Sequence, residues 1–165
     1  MDIDELYDID DNEGIIVNKR FGQRSFFLGA NEWNSLIEKL HGTFSSGAAV
    51  ILYDIGKSYG ASSLEREKAI DADLQLTIDL LSRESRVAGW GKVGITRTEK
   101  GFAVRIQRCV FCSASGNHRE IQIGCFFVKG VIAGFAELLF GSGRFNVEEI
   151  HCGKDYCEFV VILSG

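Results

Sequence analysis

Near residue 92 the hydrophobic pattern changes its period from 3.6 to 2, and that change limits the fold more than any other feature. Before it lie helical stripes. Asn31 is placed to cap a helix carrying Trp33, Leu36, Ile37 and Leu40, with Gly42 as its end. After the break Ser45-Ser46-Gly47, a second helix is predicted from about Ala48 to Tyr59, with Ile51, Ile55 and Tyr59 on one face. Glu65 to Lys68 reads as a charged connector. Asp71 or Asp73 then caps a third helix to about Ala88, its stripe formed by Leu74, Ile78 and Leu81. Beyond Gly89-Trp90-Gly91, Val93 and Ile95 alternate with Lys92, Gly94 and Thr96. Phe102, Val104 and Ile106 do the same after the turn Thr98–Gly101, which makes a hairpin with one buried face.

A loop from Cys112 to His118 is expected next, then an apolar helix from Cys125 to Phe140 closed by Gly141-Ser142-Gly143. Strands follow at Phe145 to Ile150 and Cys157 to Leu163, and two short ones stand early, at Ile15 to Lys19 and Ser25 to Leu28. This order predicts an α+β domain, helices packed on an antiparallel sheet, over residues 14–165. At 165 residues, with 45% hydrophobic side chains, the chain can bury one real core. Gly56 and Gly60 lie four apart and permit a close helix approach, within the chain or at a dimer seam.

The net charge of −5 comes from residues 1–13, which hold seven acids and no base. That acidic N-terminal segment is expected to be solvated or loosely packed. The remainder carries +2 and no basic stripe, which argues against a nucleic-acid partner. The acidic start shows no secretory pattern, so a cytoplasmic location with reduced thiols is expected. The apolar stretch from Cys125 to Phe140 is interrupted by Lys129 and Glu137, which favours a core helix and no membrane span.

The segment from Cys125 to Phe159 carries the chemistry. Strand alternation puts Glu149 on the face of Phe145 and Val147, where an unpaired carboxylate is costly. Cys152 and Cys157 flank a four-residue turn, a spacing that suits two ligands of one zinc ion. Cys125 is placed to be a third ligand and Glu149 a fourth. Two other readings of these cysteines stay open, as apolar core filler or as a regulatory disulfide.

These residues resemble the 4-vinyl reductase domain, a relative of the vesicle-tethering TRAPP subunits. The shared pattern is a Cys opening an apolar, Gly-rich helix, then E-x-x-C, a short Gly/Asp turn and Cys-x-Phe. Here these are Cys125, Gly130, Gly134, Glu149, Cys152, Cys157 and Phe159. The run Ile51 to Gly60 and Gly89-Trp90-Gly91 before a strand are similar as well. The resemblance implies a TRAPP-like fold, a structural zinc at Cys125, Glu149, Cys152 and Cys157, and a homodimer paired through helices. The Gly56 and Gly60 face is a candidate seam. The turn Gly153 to Tyr156 is shorter than in phenol-type sensors, so His151 or Asp155 stands as an alternative fourth ligand.

The function expected is binding of a small hydrophobic molecule, aromatic, hydrocarbon or lipid-like, as sensor or carrier. No DNA-binding or ATPase segment accompanies the domain here, so a signal is expected to pass through a regulatory partner protein. A tetrapyrrole 4-vinyl reductase, its accessory subunit and a TRAPP-like scaffold are the alternatives. An enzymatic role has no support in motifs, since the glycine groupings match neither a P-loop nor a dinucleotide fingerprint. Candidate pocket residues are Phe27, Trp33, Trp90, Phe102 and Phe126, with Arg105 and His118 as polar groups. Cys109 and Cys112 form a CxxC at a strand end, more readily explained as core filler than as a redox or metal pair.

Overall fold

The computed structural model describes residues 3–70, 74–113, 123–140, 145–153 and 155–163. It is α+β, with the predicted change of period falling between a helical half and a sheet.

The acidic lead is the first difference from expectation. After one helical turn, α1 (Ile3–Leu6), it forms β1 (Tyr7–Asp10), which pairs antiparallel with β2 (Ile15–Asn18); β3 (Gln23–Ser25) completes a three-stranded sheet. Pairing therefore crosses residue 14. Tyr7 turns inward, edge-on to Phe27 at 5.5 Å, while Asp8 and Asp10 stay in water. Charge count suggests a solvated segment, but backbone pairing and one buried ring suffice to order it. Asn18 ties this sheet to the body. Its Oδ1 accepts the N–H groups of Arg20 and Phe21, and its Nδ2 donates to Glu84 of α4 (Leu74–Val87).

Helix α2 (Ala30–Phe44) starts at Gly29, not at Asn31, which lies inside the first turn. It runs past Gly42 to Ser45, which takes a φ of 49° and ends it. Helix α3 (Gly47–Ile70) is longer than predicted. It does not stop at Tyr59, and the expected connector Glu65 to Lys68 is helical, as four good helix formers permit. The proposed caps Asp71 and Asp73 lie outside the described residues. The hairpin of β4 (Lys92–Thr98) and β5 (Gly101–Gln107) is as predicted. One turn of helix, α5 (Val110–Ser113), opens the expected loop; the rest of that loop, including His118, is not described. Then come α6 (Ile123–Phe140), β6 (Phe145–Cys152) and β7 (Tyr156–Leu163); the turn Gly141–Gly143 lies outside the described residues. The large sheet is antiparallel, in the order β4-β5-β7-β6.

Helix α6 lies between α3 and the inner face of this sheet, so it is apolar on nearly every side. Val104, Ile106, Val147, Cys157, Phe159 and Val161 of the sheet pack into one core with Phe127, Val131 and Ala133 of α6. The closest part of the contact with α3 is made at four glycines. A Cβ on Gly56 or Gly60 would run into the carbonyls of Phe127 or Val131. One on Gly130 or Gly134 would meet those of Tyr53 or Lys57. The Gly56 and Gly60 face is therefore used up inside the chain, and the expectation that it forms a dimer seam is corrected. Flanking the seam, Lys57 Nζ donates to Glu137 at 2.7 Å, which holds the ammonium above its ordinary range.

A methyl group at this seam has no room. Gly134→Ala should cost about 1–3 kcal/mol or more in urea denaturation. Gly42→Ala, where an added Cβ meets nothing, should stabilise by about 0.5–1 kcal/mol. Equal effects of the two would show that the helices do not depend on the close contact.

Candidate functional site

Two features of the core can carry function, a group of three sulfurs and a cavity, and α6 contributes to both. Cys125 sits in the first turn of α6, 1% exposed. That turn is pressed against α5, where a Cβ on Gly124 would strike the Phe111 carbonyl. Cys157 is opposite Cys152 across the β6–β7 ladder.

A β-bulge brings the third sulfur in. Glu149 pairs with Phe159 and shares the inner face of the sheet with Val147. In a regular strand, Cys152, three residues on, would point to the opposite face. The register shifts between Glu149 and His151. Ile150 is spent in the shift, 58% exposed, and Cys152 returns to the inner face. The E-x-x-C spacing is thus the spacing of a bulged strand.

The Cys125 and Cys152 sulfurs are 2.9 Å apart and those of Cys157 and Cys152 3.6 Å, with all three within 4.8 Å of one another. None is in a disulfide. Four thiolates about 2.3 Å from a tetrahedral zinc lie about 3.8 Å apart. One edge of the triangle is near that value, and the Cys125–Cys152 edge must open by a little under about 1 Å. Three inward thiols, two of them buried, suit a soft divalent cation.

The carboxyl of Glu149 lies on the same face but outside this 4.8 Å group. Partial burial, then the neighbouring Cys152 and Cys157, push its pKa above the usual carboxylate range. A cation among the sulfurs would reverse that cost. His151 and Asp155 are not in the group either. The His151 ring stacks on Tyr156 at 4.3 Å, and Arg105 packs on the same ring at 3.8 Å. Both pair with Glu158, on the outer face. Arg105 therefore points away from the interior, a correction to its expected place in a pocket. Cys109 is buried in the core cluster; the side chain of Cys112 is not described.

The cavity has a volume of about 580 Å³. Its walls are the inner face of β4 and β5, the Ile78–Ser85 side of α4, and the Val128–Phe140 side of α6. Trp90 and Phe102 line it, as expected. The other aromatic candidates do not. Trp33 packs among Phe111 and Phe127 at 5.3 and 5.2 Å, its indole N–H buried without a partner among the described residues. Phe27 lies just past β3 and packs against Tyr7 of the small sheet. Phe126 is 39% exposed, in a shallow groove beside Lys129. His118 lies outside the described residues. Sequence reasoning missed Arg97, which lines the cavity and pairs with Phe102. The signal was present, since Val93, Ile95 and Arg97 share one parity.

With a mild dithiol oxidant, the metal-free protein should join Cys125 to Cys152, two thiols giving two protons and two electrons to the oxidant. Peptide mass mapping checks the pair. Deleting Ile150 removes the bulge and should abolish this cross-link while far-UV circular dichroism stays unchanged; an unaltered yield would show that the bulge does not place Cys152.

No family model and no curated protein matches the chain. Among solved structures it is similar to the crystal structure of the phenol-responsive sensory domain of the transcription activator PoxR with phenol. The TM-score is 0.76 at 14% identity, over 98% of this chain and 86% of that one. At that identity the likeness concerns the backbone: the chain has the fold of this sensory domain.

Proposed function

We propose that this chain is a ligand-binding domain of the 4-vinyl reductase type. Its cavity takes a small apolar molecule, as sensor or carrier, and a structural zinc held by Cys125, Cys152 and Cys157 braces the adjoining wall. The observation that carries the reading is the apolar cavity of about 580 Å³, in a fold shared with a phenol-responsive domain. A well-packed core leaves few voids larger than a water molecule. One of this size, bounded mostly by aliphatic and aromatic side chains, is within the range of ligand sites. Burying about 150 Å² of an aromatic ligand there is worth about 4 kcal/mol at about 25 cal/mol/Å².

Zinc would supply a cross-link between α6 and the β6–β7 hairpin. The three cysteines would hold it as thiolates, and Glu149, on the same face, would complete four ligands. Its role is structural, since a full set of protein ligands leaves no open position. The domain is not expected to catalyse a reaction. As a sensor it passes the change to a partner protein.

The ligand arm of this reading is tested by native mass spectrometry of the purified protein and by thermal shift with phenol. A co-purified small molecule or a rise in melting temperature is expected, and Ile95→Trp, which puts a ring into the cavity from a strand, should remove it. If no bound mass is found, and the variant and the parent chain do not differ, the ligand reading ends.

For the metal, elemental analysis should find about one zinc per chain. Cys157→Ser should lower that content at least tenfold, and chelation or acid should depress the melting temperature as the thiolates are stripped or protonated. A clean preparation without zinc, indifferent to chelators, would remove the metal from the proposal.

A further inference from the structure

We infer that the cavity is built for an amphiphilic carboxylate, its head at Arg97 and its unbranched apolar tail running toward Trp90. This rests on the cavity being a ligand site and adds the class of ligand. On β4 the inner row is Val93, Ile95, Arg97, and all three line the cavity. Arg97 pairs with Phe102, another lining residue. A guanidinium thus takes the third place in a row whose other members are aliphatic. On a one-sided sheet an arginine belongs on the solvent face, and Arg105 of the next strand is there, on Tyr156.

Among the described residues no carboxylate lies within 4.0 Å of the Arg97 guanidinium, Glu99 of the adjoining turn included. Its fork of donors matches a carboxylate in two parallel hydrogen bonds. Arg97 is exposed at the rim, so a bound head group keeps part of its water and avoids the cost of deep charge burial. Inward from it the row is apolar. The four residue steps of strand from Arg97 to Val93 span about 13 Å at about 3.3 Å each, room for the chain of a medium-length fatty acid.

The test compares decanoate with decan-1-ol, equal in chain and different in head, by calorimetry on protein first stripped of any co-purified molecule. The parent chain should bind decanoate at least tenfold more tightly. Arg97→Gln should lose that preference while keeping its affinity for the alcohol within about twofold and its melting temperature unchanged. Ile95→Trp should weaken both. Equal binding of the two compounds, or an Arg97→Gln protein that still prefers decanoate, overturns the inference, and loss of both in Ile95→Trp then leaves the cavity reading standing. Binding of neither compound by the parent chain, under conditions where phenol raises its melting temperature, overturns the inference alone. A parent chain that responds to none of the three defeats both readings.

Discussion

Four glycines let the backbones of α3 and α6 touch directly where they cross, and the rest of the molecule is arranged around that contact. Each helix puts two glycines against the carbonyls of the other, so the fit is reciprocal. Close approach gains dispersion along two backbones and costs glycine's extra chain entropy. It also holds α6 at a fixed height over the sheet. The remaining faces of α6 must then be apolar, because α3, the sheet and the cavity surround it.

That position makes α6 a wall shared by two sites. Its first turn carries Cys125 to the β6–β7 hairpin, and its later turns line the cavity from Val128 to Phe140. On the proposed reading, a metal at one end stiffens the helix on which a ligand rests. A ligand in the cavity presses on the same helix and on α4, whose turn to β4 carries Trp90. The small N-terminal sheet is linked to α4 by Asn18 and Glu84, so it is tied to an element that lines the cavity.

The sulfur cluster was legible in the sequence because its residue types and spacing name a chemistry before any fold is known. Cys125, Cys152 and Cys157 needed only to be brought together. The geometry that does so was less legible. Simple alternation places Glu149 on the inner face and would turn Cys152 outward, since one extra residue reverses parity and no residue type announces a bulge. The aromatic candidates fared less well, with Trp90 and Phe102 on the cavity and Trp33, Phe27 and Phe126 elsewhere. A phenylalanine in a core and one in a cavity have the same local pattern. Arg97 was hidden differently: its parity was plain, but an arginine on an apolar row stands out only when the row is known to face a cavity.

Helix lengths show the same division. Gly60 and the charged run Glu65 to Lys68 look like an end and a connector, yet α3 continues through both, because α6 packs on the glycine and the charged residues are good helix formers. Local chemistry by itself determined the α+β class, the β4–β5 hairpin and the presence of three cysteines suited to one metal, since period and residue type act over a few neighbours. Tertiary structure alone decided that the glycine seam lies within the chain, that Cys152 turns inward and that a cavity remains under α6. Those depend on which distant backbones meet and at what distance, and that is a property of the assembled layers.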